Sequence, residues 1–142
     1  MLRRWFTLSF ALSFALGTVP ALAAPPVAVT QLLATQTTVS GQPIVLPQHD
    51  VELIVTRLVI QPGATLPVHE HPYQRYGYVL SGHLTVTMSD TKREFHYRPG
   101  EFIVEARDQW HFGKAVGNEP LVLLVIDQVE AGHDNTIRRP AG

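Results

Sequence analysis

Turn-forming residues interrupt this chain roughly every eight to twelve positions, and the runs between them are short and rich in β-branched residues. Val51 to Ile60 predicts a strand that Pro62-Gly63 ends. Thr65 to His71, Tyr76 to Leu80, Arg93 to Tyr97 and Phe102 to Glu105 predict further strands. In His83 to Met88 the alternation is clean: Leu84, Val86 and Met88 fall on one face, and His83, Thr85 and Thr87 on the other. Leu121 to Ile126 is a continuous apolar run, as expected of a buried strand. No segment of the mature chain carries the 3.6-residue periodicity of an amphipathic helix. The expected fold class is therefore all-β, a sandwich or barrel of about nine or ten strands. Its domain is expected over residues 44–130, behind an N-terminal arm over 24–43 whose first strand is Val27 to Ala34. A loose C-terminal tail follows over 131–142.

Residues 1–23 read as a segment apart. Arg3 and Arg4 give a positive start, Trp5 to Leu16 is almost wholly apolar, and Ala21-Leu22-Ala23 is a small-x-small cleavage site. That pattern is a secretory signal peptide, and the apolar run is too short to span a bilayer. The expected location is the periplasm or the exterior, with no membrane anchor after cleavage. Arg3-Arg4-Trp5-Phe6-Thr7-Leu8 also matches a twin-arginine signal loosely, which would carry folded cargo. Losing Arg3 and Arg4 takes the formal charge from −1 to −3, so nothing points to a nucleic-acid partner. The chain has no cysteine, which excludes disulfides and thiolate chemistry.

The chemistry-bearing feature is Gly63-Ala-Thr-Leu-Pro-Val-His69-Glu70-His71. Alternate residues of a strand share a face, so His69 and His71 can aim at one point while Glu70 looks away. His111 follows about forty residues later, behind Pro99-Gly100. Three neutral imidazoles are most of a metal's inner shell. His49, His83, His96 and His133 have no such pattern and read as surface residues. Tyr73, Tyr76, Tyr78 and Trp110 read as wall or core, and Gln109 as loop.

The two stretches resemble the motifs of the cupin superfamily, small jelly-roll barrels (double-stranded β-helices) that hold a metal between two sheets. The family's first motif runs Gly, five residues, His-x-His, three or four residues, Glu, six residues, Gly. Gly63, His69, His71 and Gly82 match it. The second runs Gly, five residues, Pro-x-Gly, two residues, His, three residues, Asn, and Gly100 and His111 match it in register. The resemblance is to a cupin type-2 domain. It implies His69, His71 and His111 as ligands of a divalent transition metal (Fe, Zn, Ni, Cu or Mn). Three departures stand out. Arg75 takes the place of the glutamate ligand, with Tyr76 there at the longer spacing. Ala106 and Asp108 replace the proline and glycine, and Ala115 replaces the asparagine.

Guanidinium in place of carboxylate changes the local charge by two units. An unpaired cation ~4 Å from the metal would oppose it by about 4 kcal/mol at an effective dielectric near 20. Arg75 therefore turns away, pairs with an acid (Glu105, Glu70 and Asp108 are the candidates weighed), or awaits an anionic substrate that it clamps. Glu105 otherwise reads as a solvated or paired strand residue. An open three-histidine site beside a cation fits a dioxygenase-like enzyme acting on a small organic anion, with Arg75 as its catalytic-site cation. A non-catalytic small-molecule binding module, a metal-dependent isomerase or lyase, and a metal-free vestigial site are the alternatives. Unpaired sheet edges lead to the expectation of a homodimer.

Overall fold

The computed structural model describes residues 26–140, so the leader read as a signal peptide lies outside the described residues. The unit that begins at Gln31 carries the fold. Nine strands build it: β1 (Val51–Ile60), β2 (His69–Glu70), β3 (Gln74–Ser81), β4 (His83–Met88), β5 (Glu94–Tyr97), β6 (Phe102–Val104), β7 (His111–Val116), β8 (Leu121–Glu130) and β9 (Ile137–Arg138). They form two antiparallel sheets, ordered β1-β8-β3-β6 and β5-β4-β7-β2-β9. This is a jelly roll, the expected all-β class, and no helix occurs among the described residues.

The core lies between the sheets. Val79 from β3, Ile103 from β6 and Leu121, Leu123 and Val125 from β8 meet Leu84 and Val86 from β4 and Ala115 from β7. The alternation read in β4 holds, with Leu84, Val86 and Met88 all buried. Burial of such side chains contributes roughly 1.5–3 kcal/mol each, and in a chain without disulfides this is the main source of stability.

Three expectations need correction. No strand forms over Val27 to Ala34; the arm closes on itself through the isolated bridge Thr37–Pro43 and meets β6 through the Val39 N–H, which donates to the Val104 carbonyl at 2.8 Å. The histidine strand is two residues long instead of seven. Pro67 supplies no N–H and Pro72 closes the other end, so only His69–Glu70 keeps ladder pairing on both sides. The tail is not loose. Ile137–Arg138 pair with β2 as the edge of the second sheet, the Arg139 N–H donates to the Val68 carbonyl at 2.9 Å, and Asn135 is buried.

Two turns have steric requirements. Gly82 takes φ of +73°, and a Cβ there would sit 2.7 Å from the Leu121 Cα and the Pro120 carbonyl oxygen. Asp108 takes φ of +52° where the cupin pattern places glycine. Aspartate is one of the few side chains that tolerate this region, so the turn survives the replacement. Its N–H donates to the His71 carbonyl at 2.9 Å, tying the turn to the site. Gly82→Ala should therefore lower unfolding free energy by at least about 2 kcal/mol, and Asp108→Val by about 1–3 kcal/mol, with Asp108→Gly far milder. Urea unfolding of the three variants measures this ordering.

Candidate metal centre

His69 and His111 stand directly opposite one another in the pairing of β2 with β7. Cross-strand partners share a face, so both rings enter the space between the sheets. His71, two residues beyond His69, joins them. The three ring centroids lie 4.7, 4.8 and 5.0 Å apart, nearly an equilateral triangle, and all three residues are buried. One ring nitrogen from each lies within 4.8 Å of the others, so the group can hold a metal ion.

The other ring nitrogens decide which tautomer is present. Each Nδ1 faces a backbone carbonyl: His69 that of Pro67 at 2.8 Å, His71 that of Asn135 at 2.5 Å, and His111 that of Gln109 at 2.7 Å. A carbonyl oxygen only accepts, so each Nδ1 carries the proton. In the neutral rings every Nε2 is then a bare lone pair. Histidine metal ligands are oriented in this way, and the donor set fits a divalent transition metal. Burial, with the neighbouring His71 and His111, lowers the His69 pKa to about 4 despite its bond to the Pro67 carbonyl. That ring stays neutral at physiological pH, as ligation requires.

A carboxylate is also present, and it comes from Glu105. Its Oε2 lies 3.2 Å from His71 Nε2 and 3.3 Å from His111 Nε2. Burial pushes its pKa up, but the contacts with His111 and His71 and the nearby charge of Arg75 outweigh this and hold it well below the ordinary range. Reciprocally, burial draws His111 down, and Glu105 more than reverses this.

Arg75 points between the sheets, but the acid that holds it is Asp127, not Glu105, Glu70 or Asp108. In the β3–β8 ladder it faces Asp127. Its Nε donates to Asp127 Oδ1 at 2.7 Å and its Nη2 to Asp127 Oδ2 at 2.9 Å, a two-pronged pair, with a third bond from Nη2 to Thr136 Oγ1 at 3.1 Å. Nη1 makes no hydrogen bond among the described residues. Asp127 also accepts from Asn135 Nδ2 at 2.5 Å, and the carbonyl of that asparagine positions His71. The ion pair and the histidine cluster are thus two bonds apart. Of the candidate partners, Asp108 lies instead near Arg107, at 3.4 Å.

A cavity of about 240 Å³ opens beside His69. Leu58, Leu66 and Val125 form its apolar wall, and Arg75, Asp127, Thr136 and Arg138 its polar side. Tyr76 lies elsewhere, its hydroxyl donating to Gln128 at 3.0 Å, and Trp110 is covered by the Arg139 guanidinium, 4.9 Å from the ring centroid. Gln109, read as loop, serves the site through its carbonyl. His49, His83, His96 and His133 are all exposed, as expected. Asp127 and Asn135 were missed because nothing local marks them. They reach the site through strand register and through a chain end that carries no periodic pattern.

Among solved structures, the chain is similar to the polyketide cyclase RemF of Streptomyces resistomycificus, with TM-score 0.54, 20% identity and 70% of each chain covered. A cupin-like protein of Thermotoga maritima matches with TM-score 0.54 and 21% identity, over 61% of this chain and 64% of that one. An oxalate decarboxylase matches with TM-score 0.50 and 29% identity, over 61% of this chain but only 23% of its own. No curated protein sequence matches the chain. The family model described as "Cupin domain" matches residues 56–127, just over half of the 142 residues, and takes in all three histidines. This chain belongs to the cupin family.

Proposed function

We propose that the protein is an exported metal-dependent enzyme that acts on a small organic anion, with dioxygenase-like chemistry. The observation that carries this reading is the triangle of imidazoles, each oriented by a backbone carbonyl, one of which, His69, lines a cavity that also holds arginine. A divalent metal held by His69, His71 and His111 would supply Lewis-acid or redox chemistry beside the cavity that His69 lines. The protein's own residues would do the rest. Leu58, Leu66 and Val125 exclude water, and Arg138 attracts the negative charge, the charge of Arg75 being offset by Asp127 in the same wall. The cavity is smaller than the roughly 300–1,000 Å³ that drug-sized ligands occupy, so the substrate is small. The similarity to an oxalate decarboxylase, whose name gives it a small dicarboxylate, supports an anion of that kind. It also favours non-oxidative cleavage as the second reading. Export rests on the leader from Arg3 to Ala23.

Held by Asp127, Arg75 is a positioning residue more than a mobile clamp, and Arg138 is the better test of anion binding. Tag-free protein loaded in turn with Fe, Mn, Ni, Cu or Zn should contain stoichiometric metal by elemental analysis, and His111→Ala should lose it. Oxygen uptake and product analysis with a panel of small carboxylates should then show turnover with at least one metal. Arg138→Gln should raise KM for the anion about tenfold with little change in kcat. Stoichiometric metal with no turnover of any anion would defeat the enzymatic reading and leave a binding module.

A further inference from the structure

We infer that Glu105 is the fourth protein ligand of the metal, so that the carboxylate absent from the usual position in β3 has moved one strand sideways. This rests on the metal-binding reading above and adds a ligand to it. The Glu105 N–H donates to the Arg75 carbonyl at 2.9 Å, continuing the β3–β6 ladder one step past Tyr76–Val104. Glu105 is therefore the lateral neighbour of the residue that replaces the motif's glutamate. Neighbours across a ladder share a face, so a carboxylate at either position enters the same space.

Three features support ligation over an ordinary ion pair. First, Glu105 has a guanidinium beside it and makes no ion pair with it among the described residues; Asp127, on the other flank of Arg75, takes that role. Across β8, β3 and β6 the inward row reads Asp127, Arg75, Glu105. The cation is satisfied on one side, and the second acid is left to the histidines. Second, room is made for it. Gly77 is the next inward residue of β3, and a Cβ there would lie 3.7 Å from Glu105 Oε1 and 3.3 Å from Ile103 Cδ1. A larger side chain would crowd both. Third, the carboxylate reaches the ligating atoms themselves: Glu105 Oε2 lies 3.2 Å from His71 Nε2 and 3.3 Å from His111 Nε2, close to the spacing of two donors on one ion. A cation held there would have its charge reduced by one unit.

An oxygen ligand matters most to a hard cation, which the all-histidine set serves poorly. Glu105→Gln in tag-free protein should weaken Mn²⁺ binding at least about 100-fold and Zn²⁺ binding only about tenfold, measured by competition with a chelator. Glu105→Asp should recover part of the Mn²⁺ affinity. A residue that merely supports the histidines would lower both metals alike. A crystal structure of the Mn²⁺-loaded wild-type protein tests the same point without any variant, and should place a Glu105 oxygen within about 2.0–2.3 Å of the ion. Wild-type metal binding with Glu105 outside bonding distance, or with equal losses for the two metals, overturns the inference and leaves the histidine site standing. Failure of the wild-type protein to bind any metal overturns both.

Discussion

His69 and His111 are set opposite one another by a single rung of the β2–β7 ladder, and the rest of the site is arranged around that rung. β2 is only two residues long, so its place is fixed by its neighbours: β7 on one side and β9 on the other. Pro67, which keeps the strand short, also supplies the carbonyl that fixes the His69 tautomer. The interruption that weakens the strand thus orients the ligand. A longer strand would commit that carbonyl to its own ladder.

Charge is arranged with comparable economy. One buried acid, Asp127, and one half-buried acid, Glu105, flank the half-buried Arg75, and each has its own destination. Removing one member of such a set leaves a charge without its partner in a partly water-excluded place. Arg75 is therefore tied to the fold through Asp127, and through Asp127 to Asn135 and His71. A departure from the family's motif that reads in isolation as a lost ligand has a compensating acid on each side.

Much of this is legible in the residues alone, and the limit has a physical cause. The strands β1, β4 and β8 follow from β-branched runs and alternation. The histidine triad follows from spacing, because two of its members are two residues apart and the third stands at a fixed distance behind a turn. Arg75 is visible as an anomaly. Its resolution is not, since Asp127 and Glu105 lie 52 and 30 residues further along and become neighbours only through the register of β3 with β8 and β6. Local patterns record which face a side chain occupies, but not which side chain stands beside it on the next strand. The closing strand β9 has too few residues to show any period. The short reach of β2 could have been read from Pro67 and Pro72, which stand in plain view.

The carbonyl of Asn135 has a consequence for how the protein is made. His69, His71 and His111 all leave the ribosome before the residue that fixes the His71 ring, and β9, which covers β2, follows later still. A nascent chain can present the His-x-His pair to solution long before its geometry is set. Metal met at that stage would find loosely oriented imidazoles, and the arrangement that could select by shape exists only once the last strand has docked.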